Sequence, residues 1–235
     1  MCLAVMAIDP NRRFSLVVAS NRDEYFDRPA APLDWWRRAA DEAPILSGRD
    51  LVSGGTWLGL SARGLLAADF SSGDCFWASN QGTLPRRLTK GVYGLSNASL
   101  NTPWPKVQAL KARLRTALAA AASADALAQH LFDALADRTV APDATLPRTG
   151  VPLTWERRLS AAFITSPDRR YGTRCSTLII TERSAGAPVT QLWERSFDAD
   201  GNVLATRRSW LRAWPQTHDD PRIDFQMRDA LVTDF

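Results

Sequence analysis

Phe14-Ser-Leu-Val-Val-Ala-Ser20 runs without interruption into Asn21-Arg22-Asp23-Glu24, and the reading of this stretch decides the fold. Seven residues rich in Val, Leu and Phe are expected to form a short buried strand. The four polar residues that follow fall at its end, where a packed scaffold holds side chains well. Upstream, residues 3–7 form a second short apolar run, separated from the first by the Asp-Pro-Asn-Arg-Arg of residues 9–13. Pro10 and Asn11 break the pattern, so the two runs are expected to pair as a β-hairpin.

Working outward, residues 27–32 are expected to be loop, because Pro29 and Pro32 disfavour regular structure. Trp35 and Trp36 would anchor that loop on the body. Gly48-Arg-Asp-Leu-Val-Ser-Gly-Gly-Thr-Trp-Leu-Gly59 reads as a tight turn feeding a strand. Further on the period changes. Val107, Leu110, Leu114 and Leu118 recur at three- and four-residue spacing, as do Leu127, Leu131 and Leu135 after Ser123 and Asp125; both patterns predict helices. Residues 175–181 and 189–197 return to strand, and Asp200-Gly201 turns the second into 203–206. Strands first, helices in the middle and strands last suit a layered α+β sandwich. A doubly wound sheet would need βαβ alternation.

Composition narrows the function classes. The chain has 235 residues, 45% of them hydrophobic, enough for one sizeable core or two small ones. The net charge of +4 comes from scattered single residues and Arg-Arg pairs. Without a block of like charge, no nucleic-acid-binding arm is expected. The opening apolar residues meet Asp9, Pro10 and Arg12 at once, which does not suit a signal peptide. No stretch reaches the roughly 18 apolar residues of a membrane span. Cys2, Cys75 and Cys175 are an odd number without short metal-ligand spacing, so neither a disulfide framework nor a metal site is expected. A soluble protein of a reducing, cytoplasmic compartment is the natural expectation.

Several strings together resemble one family, the NRDE or transport-and-Golgi-organisation family. They are Met1-Cys2, Asn21-Arg-Asp-Glu24 continuing through Tyr25 to Pro29, Gly48-Arg-Asp50, Gly54-Gly-Thr-Trp-Leu-Gly59, Gly94-Leu-Ser-Asn-Ala-Ser-Leu-Asn-Thr-Pro-Trp-Pro-Lys-Val107, Tyr171-Gly-Thr-Arg-Cys-Ser-Thr177, and Glu194-Arg-Ser-Phe197 followed by Gly201. A lone NRDE tetrapeptide is a weak signal, whereas this many motifs in a fixed order are a strong one. The resemblance implies an N-terminal-nucleophile-hydrolase-like αββα sandwich with mostly antiparallel sheets, a single family domain over 1–209, and a tail over 210–235 of no recognised pattern. It also implies an internal deletion near 64–70, because a Leu-Thr-Asn step and a helical excursion usual in the family are missing there.

The chemistry implied by this resemblance belongs to the cysteine branch of the N-terminal-nucleophile hydrolases. Removal of Met1 would leave a thiol and an α-amine on Cys2, and an amine with a pKa of roughly 8 can take the thiol proton. Such a nucleophile needs no catalytic histidine, metal or other cofactor. His130 and His218, the only histidines, lie outside the shared motifs. On the family pattern Arg22 favours the thiolate, Asp23 holds the α-ammonium, Asn97 contacts the amine or acyl group, and Arg174 lies near the nucleophile. The missing Leu-Thr-Asn removes an oxyanion donor, a loss worth ~3 kcal/mol in such enzymes. Three functional readings stay open here: a hydrolase acting on a small-molecule amide or related acyl bond, a carrier of haem or of lipid and acyl-CoA, and a shortened inactive paralogue. Plainer roles also stand beside these: Arg22–Asp23 as a structural ion pair, Asn97 and Asn101 as turn residues, Gly54-Gly55 as backbone geometry.

Overall fold

The structure is a computed structural model that describes residues 2–42, 44–61, 86–212 and 214, together with the backbone of 65–66, 68–69, 75–77 and 226–228. His218, the Cys75 side chain and residues 64, 67 and 70 of the segment proposed to carry the deletion lie outside the described residues. In chain order the strands are β1 (Cys2–Ile8), β2 (Phe14–Tyr25), β3 (Ala30–Trp36), β4 (Ile45–Asp50), β5 (Gly59–Ser61), β6 (Leu65–Leu66), β7 (Ala68–Asp69), β8 (Cys75–Trp77), β9 (Arg86–Leu88) and β10 (Gly91–Leu95). Helices α1 (Pro105–Ala120), α2 (Ala124–Leu135) and α3 (Leu153–Leu159) follow, and then β11 (Tyr171–Glu182), β12 (Val189–Phe197), β13 (Val203–Arg212) and β14 (Gln226–Arg228).

The N-terminal hairpin forms as expected, but β2 runs for twelve residues. The Asn-Arg-Asp-Glu tetrapeptide therefore continues the strand instead of following it. β2 pairs with β1 on one side and β11 on the other, inside a seven-stranded sheet of order β10-β1-β2-β11-β12-β13-β14. A second sheet has the order β3-β4-β5-β6-β7, and β8 pairs with β9. The described pairings between strands are antiparallel.

Strand alternation builds the layers. From β1 and its neighbours, Leu3, Val5, Val17, Ala19, Leu178 and Ile180 point to one face, where they meet Leu110 and Leu114 of α1 and Leu127 and Leu131 of α2. Leu16, Val18, Ile179 and Leu192 point to the other face and pack with Leu33, Leu46 and Leu60 of the second sheet. The result is the α+β sandwich with mostly antiparallel sheets, layered helix, sheet, sheet among the described residues. Each fully buried Leu contributes about 1.5–3 kcal/mol. Both helices begin as their sequences suggest. Pro105 occupies the first turn of α1, where its missing N–H costs nothing. The Ser123 side chain accepts from Ala126 N at 3.1 Å and caps α2, with Asp125 in its first turn.

The expected loop at 27–32 is shorter than its prolines suggest. Strand β3 starts at Ala30 and contains Pro32, and its register with β4 shifts between Ala31 and Asp34. Pro32 falls within that irregularity, on the edge strand of the sheet, which is where a residue without an N–H is tolerated. At the other end of the chain, residues 210–212 complete β13, and Trp214 is buried with its Nε1 donating to Ser61 O at 3.1 Å. Among the described residues no helix is long and apolar enough to cross a membrane.

Candidate active site

Strand β2 is the beam that carries the site. Cys2 on β1 and Cys175 on β11 both stand opposite Arg22, so the three share the sheet face that looks toward the second sheet. Asn21 and Asp23, one residue either side, point to the helix face. A register shift between Thr173 and Cys175 leaves Arg174 as an extra residue at the free end of β11.

On the inter-sheet face, residues from three separated motifs converge on Arg22. Its Nη2 donates to Asp50 Oδ2 at 3.0 Å, and Arg28 donates to both oxygens of the same carboxylate, at 2.7 and 3.1 Å. The N–H groups of Val52 and Ser53 also donate to Asp50 Oδ1. Donors from Arg28, then from the backbone, hold the Asp50 carboxyl far below the usual range despite its burial. The turn that delivers these N–H groups is closed by bonds from Gly54 N to Asp50 O and from Asp50 N to Gly55 O. Gly54 has φ +74°, a left-handed conformation that a side chain would strain. The Trp57 ring lies 4.3 Å from the Arg22 guanidinium carbon, in cation–π geometry. Its edge presses on Gly48, where a Cβ would come within 2.2 Å of a ring carbon. Glu194, buried on β12, accepts from Leu33 N at 2.7 Å; burial raises its carboxyl.

The helix face is built differently. Asp23 is 1% exposed, and Thr173 Oγ1 donates to its Oδ1 at 2.7 Å. Tyr171 OH donates to the Asp23 carbonyl at 3.3 Å. Burial pushes the Asp23 carboxyl up to about 6, against the opposing pull of Lys106, Thr173 and the chain-terminal ammonium. Lys106, itself buried, is lowered by the same desolvation, offset by the charges of Asp23 and Cys2. Beside them Asn21 is saturated: its Nδ2 donates to Leu135 O and Ala162 O, and its Oδ1 accepts from Ser176.

Cys2 itself is exposed at the mouth of this arrangement. Its N–H donates to Asn97 Oδ1 at 3.0 Å, and its carbonyl accepts from Ser96 at 2.9 Å. Enough protein surrounds the thiol that desolvation raises it above the ordinary cysteine value. The terminal ammonium, a hydrogen bond from the Asp23 backbone and the Arg22 guanidinium all pull the other way. The pull of Arg22 toward the thiolate is the smallest of these, and burial outweighs them all.

Cys2, Arg22, Asp23 and Asn97 therefore come together. Arg174 takes a neighbouring role: its Nη1 donates to the carbonyls of Tyr25 and Arg28 at 2.7 and 3.0 Å, with Phe26 beneath it. It clamps the turn that brings Arg28 to Asp50. Asn101 is turn chemistry, with φ +64° and Oδ1 accepting from Gly94 N and Lys111. His130 is exposed on α2, and Cys175 is buried with its thiol raised well above normal by desolvation.

Asp50 and Lys106 stood inside quoted motifs without being singled out, and Trp57 is expected from sequence only to pack in the core or line the pocket. The sequence did carry a signal for Lys106. It precedes Leu110 by four residues on the buried stripe of α1, and it places a cation in the first helical turn, where the helix dipole disfavours one. A lysine kept there implies an anion nearby.

The profile of the family described as Transport and Golgi organisation 2 matches residues 1–68 and 64–199. The chain belongs to that family. Among curated Transport and Golgi organisation 2 relatives, the bovine homologue (Bos taurus) is 28% identical, with 97% of this chain and all of the relative aligned. The mouse and human homologues (Mus musculus and Homo sapiens) are 27% and 28% identical, each aligned over 90% of this chain and 94% of the relative. The bovine alignment spans 296 positions against 235 residues here, so that Transport and Golgi organisation 2 relative carries segments that this chain lacks.

Proposed function

We propose that this member of the family is a cysteine amidohydrolase of the N-terminal-nucleophile type, with Cys2 as nucleophile once Met1 is removed. The observation that carries the reading is the 3.0 Å bond from Cys2 N to Asn97 Oδ1. After removal of Met1 the same nitrogen is a free α-amine. Asn97 then accepts one of its hydrogens and orients the lone pair toward its own thiol.

The steps follow from that placement. The amine takes the thiol proton, and the sulfur bonds to the carbonyl carbon of a small-molecule amide. Negative charge gathers on the carbonyl oxygen. Arg22 presents Nη1 on the face that carries Cys2, and this atom has no hydrogen-bond partner among the described residues, which suits it to offset that charge in place of the missing family asparagine. The α-ammonium returns its proton to the leaving nitrogen as the C–N bond breaks. A water, deprotonated by the same amine, then hydrolyses the thioester to a carboxylic acid and restores the thiol. The cycle uses no histidine and no cofactor, and it requires a compartment that keeps Cys2 reduced, such as the cytoplasm.

The test is the intact mass of the purified chain before and after a thiol-directed acylating probe. Loss of Met1 with one fast adduct, absent in Cys2→Ala, is the expected result. Retention of Met1, or labelling at Cys2 no faster than at Cys75 and Cys175, overturns the reading and favours a binding protein.

A further inference from the structure

The space between the two sheets is apolar where Leu16, Val18, Leu46 and Ile179 pack, and it turns polar toward the Cys2 end. Three buried polar atoms there have no hydrogen-bond partner among the described residues: Arg22 Nη1, Trp57 Nε1 and Glu194 Oε2. Arg22 is 4% and Glu194 1% exposed, so neither group is left to bulk water. The Trp57 ring reaches from one toward the other. Its face lies 4.3 Å from the Arg22 guanidinium carbon. Two of its carbons come within 2.2 and 2.4 Å of the point where a Gly48 Cβ would stand, and Glu194 Oε2 is 3.1 Å from that same point.

A buried donor or acceptor without a partner is costly. Here an indole fills the space in which a hydrogen-bonding group would satisfy Arg22 and Glu194, and its own N–H gains no partner. The ring is also loosely held. It belongs to the connection between β4 and β5, whose first half is tied to Asp50 by the N–H groups of Val52, Ser53 and Gly54. Beyond Gly55 that anchoring stops. Thr56 and Leu58 hydrogen-bond only each other, and the Trp57 side chain hydrogen-bonds nothing, among the described residues. A Cβ on Gly54 would meet nothing within 4 Å, and one on Gly55 only Ser53 Oγ at 3.9 Å. Two unhindered glycines beside a ring that leaves polar groups unsatisfied have the construction of a hinge.

We propose that Trp57 is a gate over a binding site between the sheets, and that the site takes a neutral group no larger than an indole. When the ring swings out about Gly54-Gly55, the volume it leaves accepts a group with an acceptor for Arg22 Nη1 and an N–H or O–H for Glu194 Oε2. An unpaired donor beside an unpaired acceptor selects a neutral group that offers both, as a planar carboxamide does. Opening also uncovers Arg22 Nη1 for a substrate carbonyl; that role rests on the amidohydrolase reading, whereas the gate and its site do not.

The experiment follows Cys175, buried opposite Arg22 on the same face, as the reporter of an open gate. The full chain is labelled with methyl methanethiosulfonate at several low urea concentrations, and Cys175 is read by peptide mass spectrometry. Trp57→Ala removes the ring, and Gly48→Ala displaces it without deleting it. Both are expected to label Cys175 at least about tenfold faster than wild type, at a rate that urea hardly changes, which marks local opening. Leu16→Ala lies in the same inter-sheet core but at the far end of β2, and is expected to speed labelling only through urea-sensitive global unfolding. Benzamide then tests the site. In Trp57→Ala it is expected to slow Cys175 labelling again, with an affinity at least about tenfold above that of N,N-dimethylbenzamide, which has no N–H for Glu194. Labelling that stays slow in both gate variants, or rises only with urea, sinks the gate and leaves the nucleophile standing. Equal protection by the two benzamides sinks the hydrogen-bonding site. An open gate in a chain whose Cys2 does not acylate sinks the nucleophile and leaves the gate standing.

Discussion

Arg22 and Asp23 are neighbours in the chain and face opposite sides of β2, and the carboxyls on the two sides are shifted in opposite directions. On the inter-sheet side the Asp50 carboxylate collects donors from Arg22, Arg28, Val52 and Ser53. Those hydrogen bonds overwhelm desolvation, and the carboxyl is held far below its usual range. On the helix side the Asp23 carboxyl has a Thr173 hydroxyl and the charge of Lys106, and there desolvation wins and pushes it up to about 6. The lesson is that donors and depth together decide whether a carboxylate is inert or titrates near neutral pH: Asp50 is the shallower and the richer in donors, and Asp23 is the deeper. The first cluster is a scaffold, and the second is poised to respond to a proton or to a ligand.

The comparison breaks hardest at Asp50. Asp50→Ala leaves Arg22, 4% exposed, buried without its carboxylate and unties the 50–55 turn. Breaking a buried ion pair by removing one partner costs about 3–5 kcal/mol, and chemical denaturation is expected to show a loss of that size. A loss under about 1 kcal/mol would mean that the cluster is solvated and is not a scaffold.

Asp23 sharpens the comparison through pH. Its folded value of about 6 lies above the ordinary 3.8. Between those values the folded chain keeps a proton that the unfolded chain has lost, so stability falls as pH rises from about 4 to about 6. At 1.36 kcal/mol per unit the fall attributable to Asp23 is at most about 3 kcal/mol. Urea denaturation across that window should show the decline in the wild-type chain and a flatter profile in Asp23→Asn. Parallel profiles would remove the distinction between the two faces.

How much of this was legible in the sequence differs between the two faces as well. The hairpin, both long helices and the C-terminal strands follow from period and breakers, because the apolar runs at 3–7 and 14–20 and the Leu spacing of α1 and α2 are local signals. Pro32 misled because a proline forbids a central strand but not a bulged edge, and edge position is a tertiary property. Cys2, Arg22, Asp23 and Asn97 were found through the resemblance, and cross-strand register then brought them together. Asp50 was not read as a site residue and Trp57 was expected mainly in the core, since nothing local tells either that Arg22 waits 28 to 35 positions away in the chain; Lys106, 83 positions from Asp23, carried only the weak signal of a cation in a helix's first turn.

The smallest expected change in stability belongs to Asn97, and it separates scaffold from chemistry. Asn97 is not in the core, and its bond to Cys2 N is exposed. Asn97→Ala is therefore expected to stay within about 0.5 kcal/mol of wild type. In the Met1-free protein, however, it loses the acceptor that orients the α-amine. A hydrogen bond to a charged group is worth about 1.5–3 kcal/mol, so acylation at Cys2 should slow by at least about tenfold at neutral pH, measured by intact mass against time. Cys175, buried on the far side of Arg22, serves as the internal reference for any general loosening. Unchanged Cys2 reactivity would confine Asn97 to shaping the loop before α1, and a stability loss near that of Asp50→Ala would make it part of the scaffold.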